Sequence, residues 1–545
     1  MTRTRFGALA GVAAAAVAVG LAEVVAVLTG ARSAPLVAVG AVVVDTVPGP
    51  PKQFAIDVFG VYDKIALLIG TGLLIAIFAA LIGVLALRSL AAGSAGVALF
   101  GAIGAAAALT RPGAGVGAAL PSLVGAAAAA GVLWLLTAGP LRAPPTRDTA
   151  APEPAARHSA APDSATPVGV LTEERAGEAD DTRDAAPDRG EPGRRRFLRA
   201  VGVALGAAAL TGLGGRWLAT RRSVAAARSA VTLPVPADPA PPLPAGADLA
   251  LPRLAPYTTP NAGFYRIDTA LVVPQVDPAT WQLRIHGRVR HPLTISYADL
   301  LARPMTERHI TLACVSNEVG GDLIGNARWL GVRLKDLLDE AQPFDGADQV
   351  VGRSADGWTC GTPTAALRDG RDALLVVGMN GEPLPIEHGF PVRMVVPGLY
   401  GYVSACKWLV ELELSSFADF DAYWVPRGWS AQGPIRTQSR IDTPRAGGRL
   451  TAGRVTVAGV AWAQRRGIER VQIRVDGGPW HDATLAATVS VDTWVQWSWR
   501  WPATPGEHTL QVRATDGTGD AQPEELRAVT PDGATGWHSV RVTVR

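Results

Sequence analysis

The chain runs to 545 residues, 48% of them hydrophobic and 18% charged, with a formal net charge of +3. So long a chain does not fold around one core, and so small a net charge argues against a general nucleic-acid binder. Its three cysteines, Cys314, Cys360 and Cys406, form no C-x-x-C or C-x-x-C-H pattern, which argues against a disulfide framework, a zinc ribbon and covalently attached haem.

The apolar excess lies before residue 140. Residues 6–30, 64–87, 91–110 and 114–139 are runs rich in Ala, Gly, Leu, Ile and Val, each near the length of a membrane-spanning helix. Residues 1–139 therefore read as a four-span transmembrane domain. The apolar stretch 35–44 is too short to span and is followed by Pro48, Pro50 and Pro51, so 31–62 reads as an extracytoplasmic loop, partly re-entrant. Arg3 and Arg5 precede the first span, Arg88 follows the second and Arg142 the fourth, which puts the N-terminus in the cytoplasm. No histidine precedes His158, so these helices offer no bis-histidine haem site and no haem is expected in the chain. Glu23, near a span centre, is either functional or packed against a neighbouring helix.

Residues 140–193 are rich in Pro, Ala, Asp, Glu, Arg and Thr without an apolar period, and read as a disordered cytoplasmic linker. Within 194–220, Arg194-Arg195-Arg196-Phe197-Leu198-Arg199 precedes an apolar stretch over 200–215. This resembles a twin-arginine export signal and also reads as the basic flank of a fifth span; the two are compatible. Residues 221–545 would then lie outside the cell membrane, with 221–256, proline-rich from Pro234, as a spacer.

Residues 257–440 mix short strands and helices. Residues 281–289 alternate as a strand, Ser296 and Asp299 form an N-cap pair, 329–340 has helical spacing, and 374–378 and 392–397 read as buried strands. Residues 441–545 show alternating segments at 454–461, 468–475, 493–501, 508–514 and 537–544, separated by turns such as Asp476-Gly477-Gly478. Trp497, Trp499 and Trp501 share one face of a strand, as sandwich core or as an interface stripe. The fold class is multi-domain: N-terminal transmembrane α-helices, an α+β domain, and a C-terminal immunoglobulin-like β-sandwich.

Two segments carry chemistry. Cys314 closes the apolar run His309-Ile310-Thr311-Leu312-Ala313 and opens the polar loop Val315-Ser316-Asn317-Glu318-Val319-Gly320-Gly321, a place where a scaffold presents a thiol. The other segment runs from His388 through Arg393 to Lys407-Trp408. Together they resemble the sulfite-oxidase-like molybdopterin oxidoreductases, over about residues 255–545. The resemblance implies a Mo-molybdopterin cofactor with Cys314 as the protein ligand to the metal. Phe264, Tyr265, Arg266, Ile267 and Asp268 fall on a pterin-contacting stretch, with Arg266 in the place of a substrate-binding arginine. Asp356 falls on a further pterin contact, His388 and Arg393 on the pair beside the pterin phosphate, and Ser404, Ala405, Cys406 and Lys407 on the last pterin loop. Molybdenum redox chemistry suits soft sulfur ligands, and a phosphate tail suits Arg and Lys. Each position also has an ordinary reading: Arg266 as a surface ion pair, His388 as a turn histidine, Arg393 as an edge-strand charge, Lys407–Trp408 as cation–π packing. Cys360 and Cys406 read as buried thiols.

Two departures from the animal sulfite oxidases bear on substrate. Those enzymes have two arginines shortly after the ligand cysteine and its asparagine, whereas here Asn317 is followed by Glu318 and Val319. Where they place a tyrosine near the metal, Trp429 stands. The resemblance thus implies a membrane-anchored, extracytoplasmic oxidoreductase performing two-electron, oxygen-atom-transfer chemistry on a small sulfur- or nitrogen-containing substrate, either oxidising a sulfite-like molecule or reducing an S- or N-oxide. It further implies a separate electron carrier and a homodimer through 441–545. The competing class is a membrane-tethered Ig-like binding protein whose cofactor domain has degenerated.

Overall fold

The computed structural model describes residues 3–47, 58, 63–111, 114–138, 191–221 and 224–545. They fall into two compact units, one from Met1–Leu36, Ile69–Ala106 and Ala118–Arg216, the other from Val37–Leu68, Ala107–Gly117 and Trp217–Arg545. The expected linker 140–193 lies outside the described residues except for 191–193, which open a helix.

The helices of the N-terminal region are α1 (Arg3–Thr29), α2 (Pro35–Thr46), α3 (Asp63–Ala86), α4 (Leu90–Leu109), α5 (Leu120–Ala138) and α6 (Glu191–Arg221). All but α2 are long and apolar enough to cross a membrane. In the first unit α1 is the helix the others approach, and small residues let them in. A Cβ on Gly11 would sit 1.9 Å from the Ala79 carbonyl oxygen, one on Gly83 2.1 Å from that of Gly7, and one on Gly125 2.8 Å from that of Ala18. Backbones this close gain dispersion contacts along their whole line of approach. Phe6 and Phe197 meet edge to face at 4.9 Å, tying α6 to α1. Part of the expected 31–62 loop is instead helical: Pro35 occupies the first position of α2, where its missing N–H costs nothing, and the helix is 12 residues long.

The catalytic part of the second unit is built on two five-stranded sheets. One has the order β2-β1-β10-β5-β6, from β1 (Gln282–Gly287), β2 (Leu293–Ser296), β5 (Gln349–Ser354), β6 (Thr359–Pro363) and β10 (Leu409–Ser415). The other runs β3-β4-β7-β8, with β9 also on β7, from β3 (Thr306–Ala313), β4 (Ile324–Arg333), β7 (Leu374–Met379), β8 (Glu382–Pro383) and β9 (Arg393–Val395). The capping pair is present: Asp299 N–H donates to Ser296 Oγ at 3.2 Å, and Asp299 Oδ2 accepts from Ser296 N at 3.1 Å. The helix expected over 329–340 is only half there. Trp329–Arg333 complete β4, and the helix is Leu334–Ala341. The apolar residues at helical spacing belong partly to a strand buried on both faces, whose pairing with β3 and β7 overrides the local pattern.

Residues 231–256 are not a free spacer. Asp238 bridges to Thr306 alongside β3, and its carboxylate bonds Arg308 and Arg333. Ala255 N–H donates to Asp442 Oδ2 at 3.0 Å and Leu249 N–H to Gln496 Oε1 at 2.7 Å, so this extended segment is stitched to the C-terminal domain as well.

That domain is a sandwich of two sheets, β11-β13-β17-β16 and β12-β19-β18-β14-β15. The strands are β11 (Gln438–Thr443), β12 (Gly448–Leu450), β13 (Gly453–Trp462), β14 (Ile468–Val475), β15 (His481–Asp482), β16 (Thr484–Leu485), β17 (Val495–Ala503), β18 (Gly506–Asp516) and β19 (His538–Val544). The five alternating segments of the sequence are β13, β14, β17, β18 and β19. Trp497 and Trp501 are buried among Val457, Leu510 and Val540, and Trp499 packs half-buried against them, so the tryptophan stripe is core.

Candidate cofactor and active site

Sheet topology gathers the candidate residues. Cys314 follows the end of β3 and Arg393 opens β9 in one sheet. In the other, the Leu409–Ser354 pairing sets Lys407, just before β10, beside Asp356, just after β5. These elements wall a cleft of about 930 Å³, the open solvent at its mouth included. Phe264, Tyr265, Ile267, Asp268, Cys314, Asp356, His388, Arg393, Ala405, Lys407 and Trp429 all line it.

The thiol is presented by a pinned loop. Cys314 N–H donates to the Leu323 carbonyl at 2.9 Å, and Asn317 Oδ1 accepts from Leu323 N at 2.8 Å, so the buried Asn317 closes the 314–323 connection on itself. Burial pushes the thiol above its usual range, partly offset by donors from Ser316 and Val315 that favour the thiolate. Tyr265 lies within electrostatic reach of both Cys314 and Arg393.

Phe264 fixes the entering segment: it stacks on Tyr265 at 5.2 Å and meets Trp329 and His388 edge-on at 5.7 and 5.6 Å. Gly325 makes room, since a Cβ there would stand 2.8 Å from the Phe264 ring. His388 Nε2 lies 3.1 Å from the Asn261 carbonyl, which can only accept, so Nε2 carries a proton. Burial, with the Arg393 guanidinium beside it, pushes His388 down to about 4, so the ring is neutral at pH 7. Trp408 adopts φ +51°, a strained conformation for a bulky residue, and its Nε1 donates to the Ile386 carbonyl at 2.8 Å. That turn aims the preceding Lys407 at Asp268.

Charge is concentrated here. Asp268 accepts from Lys407 at 2.7 Å, Arg266 at 2.8 Å and Lys64 at 2.7 Å. Burial pushes its carboxyl up, but these cations outweigh burial and hold it well below the usual carboxylate range. Arg393 is 5% exposed, lies 5.1 Å over the Trp329 ring and donates to the His388 carbonyl at 3.0 Å. Burial pushes it down to about 10, and among the described residues no carboxylate lies within ion-pair distance of it. A buried guanidinium without a counter-ion among the described residues, within electrostatic reach of Lys407, fits an anionic group such as a phosphate.

Three expected site residues sit otherwise. Arg266 lies outside the cleft lining, and its Nε donates to Asp268 Oδ2 at 2.8 Å. Ser404 Oγ donates to the carbonyls of Tyr400 and Leu399, at 2.9 and 3.1 Å, in place of facing the cleft. The Cys406 side chain is fully buried in the core near Cys360, because the loop alternates and only Ala405 and Lys407 face the opening. Conversely, Tyr402, Trp358 and Trp424 line the cleft and were not expected. Trp429 lies 5.9 Å from Tyr402 and 6.3 Å from Trp424, so these rings form an aromatic wall. Glu318 lies outside the lining.

A thiol and a cationic cluster thus meet in one cleft of an α+β domain joined to an Ig-like sandwich, and the comparisons with known proteins place that combination among the molybdopterin oxidoreductases. The profile of the oxidoreductase molybdopterin binding domain matches residues 270–424, and that of a bacterial Ig domain matches 438–512. Mitochondrial sulfite oxidase of Mus musculus is 32% identical over 344 residues, which are 53% of this chain and 62% of the mouse protein. Sulfite oxidase of Gallus gallus is 30% identical over 52% of this chain and 72% of its own length, and that of Arabidopsis thaliana 30% identical over 52% and 88%. The chain belongs to the sulfite-oxidase family of molybdopterin-dependent oxidoreductases. It spans 62% of the length of the mouse relative.

Proposed function

We propose that the chain is a membrane-anchored, extracytoplasmic molybdopterin-dependent oxidoreductase that moves an oxygen atom and two electrons to or from a small sulfur- or nitrogen-containing substrate. The observation that carries this reading is Cys314 sharing a cleft with the buried Arg393, whose charge no described carboxylate balances. Arg393, Lys407 and His388 would hold the phosphate tail, Phe264, Tyr265, Asp356 and the 404–407 loop would flank the pterin, and Cys314 would ligate molybdenum. The bound cofactor would supply the redox and oxygen-atom chemistry. The chain's own part is to orient it, keep water from it and choose the substrate.

The lining favours a neutral oxide or a monoanion over a sulfite dianion. Besides Cys314, the cleft offers Val315, Ser316, Tyr402, Trp358, Trp424 and Trp429 as walls, and its basic residues are those of the phosphate cluster. A second unpaired negative charge taken out of water costs several kcal/mol. Electrons would pass to or from a separate carrier, and no haem is expected in the chain. A dimer through 441–545 would use a surface other than the Trp497–Trp501 stripe, which is buried within the sandwich. Molybdenum and pterin analysis of the purified full chain, followed by a screen of sulfite against sulfoxides and N-oxides, tests the proposal. A chain that carries no molybdenum when expressed with the cofactor pathway would instead be the tethered binding protein.

A further inference from the structure

We infer that Lys64, in the first turn of α3, is a positioning residue of the anion-binding cluster and acts on it through Asp268. Lys64 Nζ donates to Asp268 Oδ1 at 2.7 Å and to the Ala270 carbonyl at 3.0 Å. The other carboxylate oxygen, Oδ2, takes Lys407 at 2.7 Å and Arg266 at 2.8 Å. The Asp268 side chain is 5% exposed, so this is an interior junction and not a surface pair.

The contact belongs to a docked segment. A Cβ on Gly40 would lie 3.1 Å from Leu271 Cδ1. Asp45, near the end of α2, accepts from Tyr423 Oη at 3.2 Å, from Arg427 Nη2 through its carbonyl at 3.1 Å, and from Arg111 at 2.8 Å. Leu271 and Tyr423 are close neighbours in sequence of Thr269 and Trp424, which line the cleft. The pieces Val37–Leu68 and Ala107–Gly117 fall in the same compact unit as the catalytic residues.

The physical role follows from charge. With Lys64 in place, Asp268 is balanced on both oxygens and the cluster of Lys64, Arg266, Lys407 and Arg393 keeps a surplus of positive charge for an anion. Without it, one cation is lost, Oδ1 keeps only the long 3.5 Å contact from Arg266 Nη2, and Asp268 holds Lys407 and Arg266 more tightly, away from the ligand. The N-terminal helices would then do more than anchor: they deliver a residue to the cofactor site.

This inference rests on the cleft holding a phosphate-bearing pterin. The test uses the full chain in detergent, measuring pterin and molybdenum per chain at isolation and the rate of pterin release on dilution. Lys64→Met should release pterin about tenfold faster, the effect of losing one charged hydrogen bond. Lys64→Arg should behave as the parent, which separates lost charge from lost folding. In an Asp268→Asn background, Lys64→Met should have no further effect. Parent-like release from Lys64→Met, or the same acceleration with Asp268 already neutral, would overturn the inference while leaving the proposed function standing. A parent chain without pterin would overturn both.

Discussion

Lys407 Nζ lies 2.7 Å from Asp268 Oδ2, an ion pair between side chains only 10% and 5% exposed. It locks the segment after Phe264 to the loop before β10 and sets a carboxylate into a strongly cationic corner. Burial, with Arg393 and Arg266 nearby, pushes Lys407 down to about 8 even though Asp268 pulls it up. The corner is therefore electrostatically strained until an anion enters.

Asp268→Asn removes the carboxylate from this corner. Breaking a buried pair while leaving its partner charged costs about 3 kcal/mol. The unfolding midpoint of the catalytic part of the cofactor-free chain, followed by tryptophan fluorescence, should fall accordingly, and added phosphate or pyrophosphate should restore part of the loss. An unchanged midpoint would mean that Asp268 is not what compensates Lys407.

His388 gives a pH signature. Its folded value of about 4 lies below the ordinary 6.5, so the unfolded chain takes up a proton first as pH falls. The contribution to stability is complete above pH 6.5 and is lost progressively as pH drops toward 4. Its size is about 3 kcal/mol. His388→Gln should flatten that limb of the stability curve in the cofactor-free chain; an identical limb would assign it to other groups, of which His538, also pushed down to about 4 by burial beside Arg440, is the first candidate.

Substrate choice should follow the aromatic wall. Trp429→Ala should raise KM for a neutral sulfoxide roughly tenfold, the scale of one buried aromatic contact, with a smaller change in kcat. Arg266→Met, its guanidinium being tied to Asp268, should leave the KM of an anionic substrate nearly unchanged and weaken pterin retention. Efficient sulfite turnover that outcompetes sulfoxides would overturn the neutral-substrate reading.

Topology is tested by access. Protease added to cells with the outer barrier opened should cut 224–545 and spare 140–193. Replacing Arg194 and Arg195 with lysine should leave the catalytic part inside. The opposite cleavage pattern, or unchanged export, would reverse the assigned orientation or route.

The sequence makes legible what is local. Cys314 at a strand end, the Ser296–Asp299 cap, the strand pattern of the sandwich and the long apolar helices all come from short-range chemistry. What it hides is long-range. Nothing near Cys406 signals that alternation will turn it inward while Ala405 and Lys407 face the cleft. The proline-rich residues 231–256 are extended, as their composition demands, yet side chains far along the chain, Arg308, Asp442 and Gln496, hold them down. Lys64 lies 204 residues from Asp268, and no motif joins them.

The central claim is that Cys314 binds molybdenum while the cationic cluster holds the pterin. X-ray absorption at the molybdenum edge, on the full chain and on Cys314→Ser at matched pterin content, tests it most directly. The account predicts that Cys314→Ser keeps most of its pterin, loses activity, and shows one fewer sulfur around molybdenum, whereas Cys360→Ala and Cys406→Ala keep the parent's sulfur count. An unchanged sulfur shell in Cys314→Ser, with activity retained, would contradict it.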